Sequence, residues 1–164
     1  MLRALTLHQP WAYAVAHLNK RIENRSWRPP NHLLGQKRAL AIHAGKQSYD
    51  LPELEVRIVN PLPNGEIYTS PPQLYRTELP RGCIVAVCTV RGSSDRAYDL
   101  CSELGLDQLQ WFMPGSIGWV LDDVVVLDEP VPCRGRQRVW TVPDDVELLV
   151  RAQVDRKLAC LEAS

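Results

Sequence analysis

Lysine, glutamate and arginine stand at positions 20, 23 and 25, inside the stretch Lys20-Arg21-Ile22-Glu23-Asn24-Arg25-Ser26-Trp27-Arg28. A lysine beside a carboxylate and an arginine can hold an anion or position a water. It can also exchange protons if burial shifts its pKa. The same residues can equally form a structural ion pair on a sheet face, and spacing alone leaves both readings open. In one regular strand Lys20 and Glu23 would point to opposite faces. They can share a site only if Lys20 lies in a turn before the strand, and Asn19 offers a turn residue there.

Other candidates surround this set. His8 and His43 each end a predicted strand, where an imidazole can serve as acid, base or hydrogen-bond donor. Both can also be surface or satisfied core histidines. Trp27 lies beside Arg25 and Arg28 and is a candidate for stacking on a base. Trp11 falls on the apolar stripe of a predicted helix and reads as core, as do Trp111, Trp119 and Trp140. The basic turn Arg134-Gly135-Arg136-Gln137-Arg138 can touch phosphate, with Arg134 and Arg136 as the foremost candidates, or can be a solvated turn. Signatures of activated nucleophiles, phosphate loops and zinc hydrolases are absent from the sequence. No metal or cofactor is expected.

Charge is distributed unevenly. The 164 residues carry no net charge, yet residues 1–46 hold eight basic residues against one acid, Glu23. All four histidines, His8, His17, His32 and His43, lie in that segment. A neutral protein can thus present a basic cleft without being a general polyanion binder. Fifteen of the nineteen basic residues are arginine, which suits bidentate grip on phosphate or stacking on planar groups. The five cysteines form no Cys-x-x-Cys pair, so neither a disulfide framework nor a structural zinc site is expected, and most read as core. Without a long apolar run or a secretion signal, the expected location is cytoplasmic, away from membranes.

These candidates require elements to position them. Residues 3–7 alternate as a strand with Leu5 and Leu7 on one face. Pro10 opens a short helix with Trp11, Val15 and Leu18 on one side. Residues 21–26 read as extended, with Ile22 facing one way and Glu23 and Arg25 the other. Strands are predicted over 39–44, 82–90, 117–121 and 124–127, and helices over 48–59 and 143–161. The stripe of the last helix is Val146, Leu149, Val150, Val154, Leu158 and Leu161, with Thr141 or Asp144 as its cap. Residues 60–80 hold five prolines and read as an insertion or flap. The length fits a single domain spanning 1–164. Strands outnumber helices without alternating with them, which predicts an α+β fold, a small mixed barrel or curled sheet flanked by helices.

The stretch Thr6-Leu7-His8-Gln9-Pro10-Trp11-Ala12 followed by residues 20–27 resembles the ASCH domain (activating signal cointegrator homology). The likeness extends to Leu40-Ala41-Ile42-His43-Ala44, to Gly82-Cys83-Ile84-Val85-Ala86, and to Pro132-Cys133-Arg134-Gly135 with Trp140. The family signature is Gly-x-Lys-x-x-Glu-x-Arg. Lys20, Glu23 and Arg25 match it, and Leu18 stands in place of the glycine. The resemblance implies a PUA-like curled β-barrel with a cleft facing RNA or a nucleoside. It thus implies binding of RNA or single-stranded nucleic acid, and the candidates in this chain to make the contacts are His8, Lys20, Glu23, Arg25, Trp27, Arg28, Arg134 and Arg136. Some small family members are amidohydrolases on N4-acetylcytidine, and ribonuclease activity has been described for others. An amidohydrolase would use Lys20 and Glu23, and a ribonuclease His8 or His43 as acid and base, so the catalytic candidates are Lys20, Glu23 and His43. The small amidohydrolases carry threonine where this chain has Glu23.

Overall fold

The computed structural model describes residues 1–35, 39–48, 60–61, 67–68 and 79–163. The first strand, β1 (Arg3–Gln9), is buried on both faces. Leu5 and Leu7 enter one apolar cluster and Ala4 enters another. Helix α1 (Trp11–His17) follows and buries Ala12, Ala14 and Val15. Strand β2 (Ile22–Arg25) turns Ile22 into a third cluster with Leu100 and Val120. Strands β3 (Ala39–Ser48) and β6 (Cys83–Ser94) are the apolar centre, and the short pair β4 (Asn60–Pro61) and β5 (Ile67–Tyr68) lies between them in sequence. Helix α2 (Ala97–Leu104) and a 3₁₀ segment (Leu106–Trp111) lead to β7 (Ile117–Pro132), β8 (Val139–Thr141) and the closing helix α3 (Asp144–Glu162).

Six strands form one mixed sheet in the order β2-β7-β6-β3-β1-β8. Only β1 and β3 run parallel, with Thr6 opposite His43, and the other pairings are antiparallel. The mixture of sheet and helices is the α+β class expected. The sheet is not closed into a barrel, because β2 and β8 are its two edges.

Residues 117–121 and 124–127 do not form two strands. They belong to the single strand β7, which passes through Asp122 and Asp123 with its register against β6 shifted nearby. Asp123 takes a left-handed φ of 49°, so the kink is absorbed within the strand. The apolar stripe of α3 also differs. Val146 and Val150 are buried, but Leu149, Leu158 and Leu161 are exposed. Glu147 and Gln153 take buried positions instead. Glu147 accepts the Leu2 N–H, and Gln153 bonds both the N–H and the carbonyl of Glu129. Neither Thr141 nor Asp144 caps α3, whose N-cap Pro143 makes no side-chain hydrogen bond.

Ser48, the first residue of the helix expected over 48–59, ends β3 instead, and the rest of that helix and most of the proline-rich stretch at 60–80 lie outside the described residues. Cys83 and Cys88 are buried free thiols, Cys101 and Cys133 half-buried ones, and Cys160 is exposed. Burial pushes the Cys88 thiol up to about 12. Among the described residues, no helix is long and apolar enough to cross a membrane. Nor does any cluster of His, Cys, Asp or Glu among them have the makings of a metal site.

Candidate functional site

Lys20 reaches the site from a turn. Helix α1 ends at His17, and the N–H groups of Leu18 and Lys20 both donate to the Ala14 carbonyl. Asn19 between them takes φ 54°, a left-handed conformation that asparagine tolerates. Leu18 itself has φ −112°, so no glycine is required at its position. Gln108, from the 3₁₀ segment, brackets the turn. Its side chain accepts from the Arg21 N–H at 2.9 Å and donates to the Asn19 carbonyl at 3.0 Å.

The turn delivers the ammonium group to the polar face of β2. Lys20 Nζ donates to Glu23 Oε2 at 2.6 Å and to the Ile22 carbonyl. The other carboxylate oxygen, Glu23 Oε1, lies 3.1 Å from Arg25 Nη2, which also donates to the Thr6 carbonyl. Lys20 is 2% exposed and the Glu23 side chain 8%. Burial pushes the Lys20 pKa down, and the adjacent Glu23 carboxylate opposes that shift. The charged form therefore depends on Glu23, and the pair works as one unit.

This triad lines a cup of about 440 Å³. Trp11 and Trp111 form walls, with Thr6, Leu7 and His8 from β1 on one side and Met113, Gly115 and Ser116 on the other. The far wall is fastened to β2 by Asn24. Asn24 Nδ2 donates to the Trp111 carbonyl at 2.7 Å, and Oδ1 accepts from the Met113 N–H and the Ser116 hydroxyl. The cup is within the size range of small-ligand pockets, with aromatic walls and a few convergent polar groups.

A second, larger groove of about 990 Å³ adjoins it. Arg25, Lys46, Arg134, Arg136 and Arg138 line this groove, and among the described residues no carboxylate lines it. Thr6, His8 and Arg25 border both the cup and the groove. The loop after β7 that supplies three of these arginines is tied down from below. The Thr6 hydroxyl donates to the Arg136 carbonyl at 2.9 Å and accepts from Trp140 Nε1 at 3.1 Å. His43 is 1% exposed and bonds the Cys133 carbonyl through Nε2 at 2.9 Å. A carbonyl can only accept, so Nε2 carries the proton and Nδ1 is bare. Nδ1 has no partner among the described residues, and a Cβ on Gly135 would stand 2.6 Å from it. Burial pushes the His43 pKa down.

The structure thus gathers Lys20, Glu23 and Arg25 in one cup and puts His8 on the saddle between cup and groove. His43, Arg134 and Arg136 are at the groove. His43 is not among the residues that line the cup with Lys20 and Glu23, and lines the groove instead. Trp27 borders neither cavity. It packs edge-on against Trp119 at 4.7 Å, its carbonyl accepts from Trp119 Nε1, and Arg138 sits 6.0 Å from its ring. Arg28 is exposed, faces Asp95 at 3.8 Å and also borders neither. Sequence reasoning missed Trp111, Asn24 and Gln108, whereas Arg138 belongs to the basic turn it singled out. It also placed Trp11 wholly in the core, whereas that ring is half-buried and lines the cup. Periodicity could flag Trp11 only as apolar. The contacts of Asn24 and Gln108 span some ninety residues of sequence and leave no local signal.

Residues 5–111 match the sequence profile of the ASCH domain. The chain belongs to the ASCH domain family. That range covers the Lys20–Arg25 motif and reaches Trp111, and the arginine loop after β7 lies beyond it. Among solved structures, ASCH from Zymomonas mobilis has a TM-score of 0.50 at 12% identity, covering 92% of this chain and 94% of that one. A tyrosine-to-phenylalanine variant of the same bacterial protein gives 0.50 at 11%, covering 92% and 96%. These likenesses show a shared ASCH fold. No curated protein matches the chain at a significant level. The ASCH family is generally linked to RNA binding.

Proposed function

We propose that this ASCH protein binds RNA or single-stranded nucleic acid, with one base in the cup and the adjoining backbone along the arginine groove. The observation that carries the reading is the saddle. Thr6, His8 and Arg25 border both cavities, so a single nucleotide can place its base on one side and its phosphate on the other. Aromatic walls suit a base, and the five cations Arg25, Lys46, Arg134, Arg136 and Arg138 suit phosphates. Lys20 and Glu23 form the polar floor beneath the base, and Arg134 and Arg136 grip the backbone. Trp27 and Arg28 are set apart from this path. A titration of labelled single-stranded RNA of about eight nucleotides at low salt tests the reading. Binding that weakens steeply with salt, and at least tenfold in Lys20→Ala, is expected. No binding at low salt, or full affinity in Lys20→Ala, overturns it.

A second reading is favoured by one observation, the depressed pKa of a buried lysine against a carboxylate in a cup of nucleoside size. In it the protein hydrolyses an N4-acylated cytidine. Lys20 polarises the amide or activates water, and Glu23 moves the proton. Release of cytidine from N4-acetylcytidine, lost in Glu23→Gln, is the expected result. Turnover that survives both Lys20→Ala and Glu23→Gln excludes it. A ribonuclease using His8 and His43 draws less from the geometry, because His43 Nε2–H is committed to Cys133 beneath the loop.

A further inference from the structure

Thr6 sits in β1 between Leu5 and Leu7, which are buried in the core. Strand alternation turns its side chain the other way, toward the arginine loop. Three groups meet on this residue. Its carbonyl accepts from Arg25 Nη2 at 3.1 Å. Its hydroxyl donates to the Arg136 carbonyl at 2.9 Å and accepts from Trp140 Nε1 at 3.1 Å. An indole N–H only donates and a carbonyl only accepts, so the hydroxyl proton has one place to go. The side chain is also wedged. A Cβ on Gly45 would stand 3.2 Å from the Thr6 methyl, and one on Gly135 3.0 Å from the hydroxyl oxygen. Both glycines line the groove. Their bare backbones close on a β-branched side chain that is already stiff at χ1.

The arginine loop is pinned at two of its carbonyls. His43 holds that of Cys133 and Thr6 that of Arg136, with Arg134 between the pins. Through its own carbonyl Thr6 also holds Arg25, the cation on the saddle. One residue thus sets the spacing between the saddle cation and the loop cations. A strand whose base is fixed in the cup presents its phosphates at limited positions, and cations held beforehand at those positions lose less freedom on binding. We propose that Thr6 is a positioning residue for nucleic-acid binding. Its hydroxyl keeps the arginine loop in register with Arg25, so that phosphates are gripped while a base occupies the cup. This inference rests on the nucleic-acid reading above and adds to it an uncharged residue that acts through the arginines.

The experiment titrates single-stranded RNA of about eight nucleotides across salt concentrations on wild type, Thr6→Val and Thr6→Ser. Valine keeps the branched shape between the two glycines and removes the hydroxyl. Serine keeps the hydroxyl and removes the methyl. In Thr6→Val the affinity at low salt is expected to fall about fivefold or more. Its salt slope should also fall by about 0.7 to 1.4, the loss of one or two phosphate contacts on a single strand. Thr6→Ser is expected to stay within about twofold of wild type with its slope unchanged. A merely structural role would lower thermal stability without moving the slope. Arg136→Ala gives a second readout, since it should lower the slope in wild type and add nothing in Thr6→Val. Wild-type affinity or an unchanged slope in Thr6→Val, an equal fall of slope in Thr6→Ser, or a full Arg136→Ala effect in the Thr6→Val background overturns the inference and leaves the nucleic-acid reading standing. If wild type binds no RNA at low salt, the nucleic-acid reading fails and this inference fails with it. Should Thr6→Val not fold, Thr6→Ser decides: a wild-type slope supports the role of the hydroxyl, and a lower one overturns it.

Discussion

At the residue scale the controlling fact is that Lys20 and Glu23 are buried together. Removing one partner of a buried ion pair strands the other, at a cost of about 3–5 kcal/mol. Lys20→Met is therefore expected to lower the urea stability by about that amount, and the double variant Lys20→Met/Glu23→Leu to recover part of it. The recovery separates the cost of burying charge from any role in binding, since both variants should lose the ligand. His43 sets an acid limit. Its folded pKa lies below the ordinary 6.5, so the native state holds the neutral ring. Stability is present above that ordinary value and is lost as pH falls from it toward the folded pKa. The second proton would have to go on Nδ1, which faces Gly135 without an acceptor. Denaturation midpoints should drop between about pH 7 and 5 in wild type, and less steeply in His43→Gln. Part of this was legible in the chain. The two-residue strand period by itself required Lys20 to come from a turn if it was to meet Glu23. That the turn needs left-handed Asn19 and not a glycine at Leu18 was not legible, because backbone dihedrals depend on where α1 ends.

At the scale of elements, β2 is an edge strand that works through its neighbours. Asn24 holds the 111–116 wall, and Gln108 holds the turn that carries Lys20. Gln108→Ala leaves the Arg21 N–H and Asn19 carbonyl without these partners. A stability loss of about 1–3 kcal/mol is expected, with weaker RNA binding although Gln108 is not among the cup's lining residues. The Lys20 Nζ signal in NMR should broaden, which a purely global loss of stability would not require. Gly135→Ala tests the other cavity. A Cβ there would press on His43 and stand 3.0 Å from Thr6 Oγ1, so the arginine loop must shift. Reduced affinity with the cup's own resonances unchanged is the expected outcome. Helix α3 shows the limit of periodicity. Its register predicts an apolar stripe through Leu149, Leu158 and Leu161, but the chain buries Glu147 and Gln153, whose polar ends meet Leu2 and Glu129. Burial followed available hydrogen-bond partners, which lie far away in sequence. Strand β7 shows the same limit, because a kink at Asp122-Asp123 resembles a turn until the partner strand β6 is present to span it.

At the scale of the whole molecule, zero net charge conceals a separated pattern, and that much was visible in the sequence. The basic N-terminal segment supplies Lys20, Arg25 and Lys46, and the loop after β7 adds Arg134, Arg136 and Arg138 from an otherwise acidic remainder. Binding affinity should fall with salt at about 0.7 logarithmic units per phosphate neutralised on a single strand. Replacing the three loop arginines by alanine should reduce that slope by about 2 if each meets one phosphate, as measured by titration across salt concentrations. The pairing order has a further consequence. The first strand is seated between β3 and the much later β8, and in the sheet the motif strand β2 is paired with β7 at the edge. During synthesis the Lys20–Glu23 motif leaves the ribosome early and waits, with its charges in water, until β7 emerges some ninety residues later. The binding site is therefore among the last parts of the protein to come into being. A nascent chain stalled before β7 carries the complete family motif and has nowhere to bury it.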